Sequence, residues 1–115
     1  RVPELANDAR EAIAAFGATK VEVVVGDGSV GLPERAPYEG IAVHATAPAP
    51  SPKLISQLTI GGRLVVPIAE ARADMLTMYR RVSEEFDAFS GDGLERRLIG
   101  PCRFVPLIGT EGFPE

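Results

Sequence analysis

Three apolar runs decide what this chain can become. They are Val21-Glu22-Val23-Val24-Val25, the centre Ile41-Ala42-Val43 of Tyr38–Ala45, and Leu64-Val65-Val66 within Arg63–Ile68. A strand with one wet face alternates apolar and polar residues; runs that hardly alternate belong to strands covered on both faces. The connections between them are too long for tight hairpins. Residues 1–68 therefore read as helix, strand, strand, helix, strand, the rhythm of a parallel α/β sheet.

Residues 2–17 form the first expected helix, with Leu5, Ala9, Ala12, Ile13 and Phe16 on one face and Asn7, Asp8, Arg10 and Glu11 opposite. Pro3 suits a first turn, Glu4 complements its dipole, and Gly17 is a natural stop. Ser51 with Pro52 behind it marks a second helix start, with Leu54, Ile55 and Leu58 as its apolar face and Gly61-Gly62 as its end. Met75–Val82 and Leu94–Ile99 read as two more strands around the turn Gly91-Asp92-Gly93, most simply an antiparallel edge on the parallel sheet. Phe104-Val105-Pro106-Leu107 is expected to prolong the last strand after a break at Gly100-Pro101, Ser83–Ser90 to be surface, and Gly109–Glu115 to be a loose tail.

Composition narrows the function classes. Twelve Lys and Arg against sixteen Asp and Glu give a net charge of −4 over 115 residues, whereas nucleic-acid binding is led by clustered positive charge. No apolar run approaches the ~20 residues of a helical bilayer crossing. One cysteine, Cys102, gives no internal disulfide framework and fits a reducing cytosol, so a cytoplasmic location is expected. With His44 as the one histidine, an ordinary zinc site of about four such ligands is not available, and no metal is expected. The chain opens on Arg1 without an initiator Met, shows no signal-peptide pattern and enters a helix directly, which reads as a processed, cropped or partial chain.

Gly26-Asp27-Gly28-Ser29-Val30-Gly31 has the spacing of a dinucleotide fingerprint after a strand. Pro33 and Pro37 interrupt the helix that should follow, and Thr46–Pro50 supplies no ribose-binding acid. Ser29, His44 and Asp27 do not make a nucleophile elbow, because Asp27 stands where the elbow needs glycine. Asp27 itself has two readings. At the mouth of a buried strand it can accept a hydrogen bond from a purine amino group, with the flanking glycines letting the backbone approach; equally it can cap its own loop.

Four ordered segments are more specific: Val23–Ser29, Ala36–Pro48 (APYEGIAVHATAP), Leu58–Ile68 (LTIGGRLVVPI) and Gly100–Gly109 (GPCRFVPLIG). Together, over almost the whole chain, they resemble the protein-L-isoaspartate (D-aspartate) O-methyltransferase family. The resemblance implies a Rossmann-like, S-adenosylmethionine-dependent α/β methyltransferase sheet, mostly parallel with an antiparallel C-terminal edge. In that family a glycine-rich loop and a ribose-binding acid precede the helix resembled by Arg1–Leu5, so the resemblance makes residues 1–115 the C-terminal portion of a single domain whose N-terminal strands are missing. Those two strands lie between the equivalents of Val21–Val25 and Tyr38–His44.

By resemblance, Gly26, Asp27, Gly28 and His44 are cofactor-binding, with Asp27 and Gly28 at the adenine. Ala45, Thr46 and Ala47 position donor and acceptor, with no catalytic acid or base. Thr46, Ala47, Pro48, Val105, Pro106 and Leu107 face the substrate. The implied partners are isoaspartyl proteins or peptides, and the implied activity is methylation of the free carboxylate of L-isoaspartyl or D-aspartyl residues, a repair reaction. His44 and Thr46 depart from the family's small residues, which raises a peptide-tailoring aspartate methyltransferase as an alternative. The missing strands raise another, a truncated, non-catalytic remnant unable to bind the cofactor alone.

Overall fold

A computed structural model describes residues 2–17 and 21–114, with Phe16 described for its backbone only. The expectations resting on Arg1, the Phe16 side chain and Glu115 lie outside the described residues. The elements are α1 (Pro3–Phe16), β1 (Tyr38–Ala42), α2 (Pro52–Ser56), β2 (Leu58–Ala69), β3 (Asp74–Arg81) and β4 (Leu94–Cys102), with short 3-10 turns at Gly28–Val30 and Pro33–Arg35. The strands form one mixed sheet in the order β1-β2-β3-β4. β1 runs parallel to β2, while β3 and β4 make the expected antiparallel edge.

One face of the sheet carries the core. Leu64, Val66 and Ile68 of β2 point to it, and antiparallel register sets Tyr79 beside Leu64 and Thr77 beside Val66. Leu54 and Ile55 of α2 and Ala47 close over them. Ser51 caps α2 by accepting from the Leu54 N–H at 3.2 Å, and Pro52 fills the first turn. Burying Leu54 and Ile55 fixes this five-residue helix, far too short to persist alone.

Several expectations change. Val21–Val25 is not a covered strand: it joins no ladder, and Val21, Val24 and Val25 are 54%, 51% and 41% exposed. The physical reason is the absence of a pairing partner beside it among the described residues. It is tethered instead by Arg10, which donates to the Val23 carbonyl at 2.9 Å, and by an exposed Glu22–Arg35 ion pair. The apolar stripe of α1 is likewise open to solvent, with Leu5, Ala9 and Ala12 exposed. β1 ends at Ala42 and is only half-buried, because its edge away from β2 has no partner among the described residues.

Gly61-Gly62 does not end α2. That helix stops at Ser56, Leu58 opens β2, and the two glycines form a bulge that carries the register from Tyr38↔Leu58 to Gly40↔Arg63. Gly61 adopts φ 88°, and a Cβ on Gly62 would press on the Thr59 and Tyr38 carbonyls. Nor does Gly100-Pro101 break β4, which continues to Cys102; an edge strand tolerates the proline. Residues 105–107 leave β4 and return to Thr46, and the tail beyond them is folded.

Candidate functional site

The C-terminal ends of the parallel segments converge on one cleft. Val43 continues β1 by donating to the Val65 carbonyl at 2.9 Å, and Ala47 exchanges bonds with Pro67 and Ala69, both at 2.9 Å. On its other side, Thr46 donates to the Val105 carbonyl at 2.7 Å and accepts from the Leu107 N–H at 2.8 Å. Residues 45–47 are thus a strip held between the end of β2 and the returning chain.

A cleft of about 900 Å³ opens between this strip, β1 and the segment 24–34. Gly26, Asp27, Gly28, His44, Ala45 and Leu107 all line it. A Cβ built on Gly26 or Gly28 would meet nothing, so both backbones face open space. Thr46 and Ala47, within the strip, are buried at 4% and 3% exposure and do not line the cleft. Val105 and Pro106 are exposed, and Pro48 lines a separate hollow.

Asp27 is held from several directions. Its Oδ1 accepts from the Ser29 N–H at 3.0 Å and from the Ser29 hydroxyl at 2.6 Å, capping the turn Gly28–Val30. Its Oδ2 accepts from the Thr110 N–H at 2.9 Å. The Ser29 hydroxyl bond, followed by the Thr110 amide, holds the Asp27 carboxyl well below the usual carboxylate range. Ser29 in turn accepts from the Glu111 N–H at 3.1 Å, and the Ser51 hydroxyl donates to Glu111 at 3.2 Å. Through residue 114 the tail is therefore a folded clip, closed by bonds from Gly109 to Phe113 and from Phe113 to Leu107, and not the loose end expected. A side chain on Gly109 would collide with the Asp27 carboxylate.

The sequence offered no pointer to this clip, because Thr110 and Glu111 stand 83 and 82 residues from their partners. The Asp-x-Ser spacing of Asp27 and Ser29 was a usable signal for the local cap. Gln57 was also missed. It is buried, its Oε1 accepts from the Leu32 N–H at 3.0 Å, and its Nε2 donates to the Val30 carbonyl at 2.8 Å. It staples the cleft's loop to the end of α2. Thr46 uses its hydroxyl internally, donating to Asp74 at 2.9 Å.

Among the described residues no three His, Cys, Asp or Glu side chains converge on a metal position, and no helix is long and apolar enough to cross a membrane. The site is instead an apolar-walled cleft with a fixed anionic acceptor and bare backbone at its mouth.

Comparison with known proteins gives the family and the fold. Residues 1–112 match the family model for protein-L-isoaspartate(D-aspartate) O-methyltransferase. A protein-L-isoaspartate O-methyltransferase 2 of Marinobacter nauticus is 43% identical over 115 residues, covering 99% of this chain and 49% of that protein. The Aeropyrum pernix protein-L-isoaspartate O-methyltransferase is 47% identical over 116 residues, covering 100% and 42%. The chain spans about half the length of the curated relatives it matches. A solved protein-L-isoaspartate O-methyltransferase superposes with a TM-score of 0.81 at 25% identity, covering 96% of this chain and 33% of that one. A Plasmodium falciparum structure of that name, in complex with S-adenosyl-L-homocysteine, superposes with a TM-score of 0.75 at 20% identity, covering 94% and 50%. The fold is the Rossmann-like methyltransferase α/β fold, and the chain belongs to the protein-L-isoaspartate (D-aspartate) O-methyltransferase family.

Proposed function

We propose that this chain supplies the nucleoside wall and the acceptor-side strip of an S-adenosylmethionine-dependent enzyme that methylates the free carboxylate of L-isoaspartyl or D-aspartyl residues in damaged proteins. One observation carries the reading: a single cleft brings Gly26-Asp27-Gly28 together with His44-Ala45, just beyond the C-terminal end of β1. In open α/β sheets ligands bind at that place.

The residues present fit the cofactor. The cleft is large enough for a nucleoside, and Val24, Val25, Ile41 and Val43 give it apolar walls. Asp27 is an ionised, acceptor-only carboxylate in the cleft lining, held by Ser29 and Thr110, and is the group offered to a purine amino group. When bound, S-adenosylmethionine supplies an electrophilic methyl group on a sulfonium that leaves as a neutral thioether. The acceptor carboxylate is ionised at pH 7, since model values lie near ~4, and needs no general base. The task left to Ala45, Thr46 and Ala47 is positioning. Ala45 lines the cleft, the bonded backbones of Thr46 and Ala47 anchor it there, and alignment with little water present can account for most of the acceleration.

The tailoring alternative drew on His44 and Thr46. The Thr46 hydroxyl is committed to Asp74, which removes half of its motive. Cys102, free and half-buried, suits a reducing compartment, and we place the enzyme in the cytoplasm.

The test uses a protein that joins this chain to the half-length its relatives also contain. It should transfer methyl groups to isoaspartyl peptides and leave their aspartyl counterparts unmodified. Equal methylation of both, or of neither, overturns the repair assignment.

A further inference from the structure

Residues 105–113 bridge the two sides of the cleft. At one end the Val105 carbonyl accepts from the Thr46 N–H at 2.7 Å, and the Leu107 N–H donates to the Thr46 carbonyl at 2.8 Å. At the other end the Thr110 N–H donates to Asp27 at 2.9 Å and the Glu111 N–H to the Ser29 hydroxyl at 3.1 Å. Between these ends Phe113 donates to the Leu107 carbonyl at 2.7 Å and Gly109 to the Phe113 carbonyl at 3.1 Å, so the segment closes on itself as one bonded unit. A further bond, from the Ser51 hydroxyl to Glu111, ties it to the cap of α2. Among the described residues, the hydrogen bonds from this segment to the rest of the chain end on Thr46, on Asp27 and Ser29, and on Ser51.

Ser29 is the enclosed joint of this arrangement. It is 1% exposed, and its hydroxyl works in both directions, donating to Asp27 Oδ1 at 2.6 Å while accepting from Glu111. Water does not replace a partner lost at so enclosed a group. The Asp27–Thr110 bond, by contrast, is exposed and is a weak latch by itself. A segment held by a few bonds opens as a unit, at a free energy below that of global unfolding. When it is seated, Asp27 is fixed and both backbone groups of Thr46 are paired; when it lifts, both sides are released together. A ligand that bonds the fixed carboxylate binds the seated arrangement better, and the resulting linkage is reciprocal.

We infer that Ser29 is a positioning residue for both sides of the site: through Glu111 and residues 105–113 it ties the setting of Asp27 to that of the strip carrying Ala45, so that a nucleoside held at Asp27 also tightens the acceptor side. The inference rests on the reading of the cleft as the S-adenosylmethionine site.

Hydrogen exchange of the 115-residue chain reads the tie without any ligand. Ser29→Ala should speed exchange of the Glu111 amide and, across the segment, of the Thr46 and Leu107 amides, each about tenfold. Leu58→Val, a core trim at the opposite end of β2, should leave those three rates unchanged. Thr46 and Leu107 at parental rates in Ser29→Ala, or sped equally by Leu58→Val, overturn the inference. In the protein that joins this chain to the half-length its relatives also contain, Ser29→Ala should weaken S-adenosylhomocysteine about tenfold. It should also raise KM for an isoaspartyl peptide about fivefold at low S-adenosylmethionine, a defect that closes at saturating S-adenosylmethionine with kcat unchanged. Gly109→Ala, whose Cβ would press on the Asp27 carboxylate and the Ser29 hydroxyl, should reproduce both effects from the other side of the joint. A parental peptide KM, or one raised equally at every cofactor concentration, refutes the tie. If the joined protein binds no S-adenosylhomocysteine, the cofactor reading fails and the inference with it. If it binds the cofactor but methylates no isoaspartyl peptide, the repair reading alone fails. Exchange of the Thr46 amide then decides the inference: about fivefold slowing by S-adenosylhomocysteine is expected, and no slowing overturns it.

Discussion

Replacing Gln57 by Met keeps the length of the side chain and removes both ends of a staple. Gln57 is buried, and its amide satisfies the Leu32 N–H at 3.0 Å and the Val30 carbonyl at 2.8 Å. Met can pair with neither, so two backbone groups lose their partners together. Each such loss costs about 1–3 kcal/mol when fully buried. Val30 and Leu32 are half-buried, which places each loss at the low end and the pair at about 2–3 kcal/mol. For 115 residues the unfolding entropy is about 0.24 kcal/mol/K, so Tm should fall by about 8–12 °C. The readout is thermal unfolding followed by circular dichroism, with urea unfolding as a check that the m-value is unchanged. Gln57→Glu adds a pH signature. An ionised Glu still accepts from Leu32 but cannot donate to Val30, so its deficit relative to the parent should shrink below about pH 4, where the carboxyl is protonated. A Tm loss under about 3 °C for the Met variant, or a pH-independent Glu deficit, would refute the staple.

Three further predictions address the site. Thr46→Val and Asp74→Asn should each cost about 1–2 kcal/mol, with the double variant costing less than their sum, because one 2.9 Å bond joins the pair; a Thr46→Val variant of parental stability but raised KM would instead make the hydroxyl a substrate contact. Because the Asp27 carboxyl is held below its ordinary 3.8, the stability it contributes is present above that value and lost as pH falls below it. Asp27→Asn should flatten this acid limb and speed exchange of the Thr110 amide about tenfold, and an unaltered limb would show that the clip carries no such linkage. The 115-residue chain alone should bind S-adenosylmethionine more weakly than about 100 µM, because one cleft wall, Val21–Val25, is unpaired; micromolar affinity in calorimetry would contradict this.

The parts of the fold legible in the sequence are those that local chemistry decides. Ser51-Pro52 fixes a helix start wherever it falls, and the α1 stop at Gly17, with φ 71°, follows from the same logic. The β-branched body of β2 and the antiparallel pair β3–β4 were likewise readable. The failures all concern pairing. Val21–Val25 has strand composition, but composition supplies no partner, and without one its valines stay in solvent. Gly61-Gly62 reads as a helix stop because glycine pairs usually are one. The bulge arises only because β2 must follow β1 past Tyr38, which is a long-range constraint.

The site shows the same division, and at Asp27 it resolves into a physical statement. The sequence left two roles open, a loop cap or a ligand acceptor, as if one excluded the other. The geometry shows the first, and on the proposed reading it is a precondition of the second. An acceptor on an exposed loop must be immobilised when a ligand arrives, and that cost is subtracted from affinity. Ser29 and Thr110 immobilise Asp27 beforehand. The same bonds hold the carboxyl well below the ordinary carboxylate range, so at neutral pH it accepts and does not donate. On the proposed reading an amino-bearing base is preferred over a keto-bearing one, because a carbonyl oxygen set against the carboxylate is repelled. That discrimination depends on a turn at residues 109–113, more than eighty residues away in sequence, closing over the Asp27 loop.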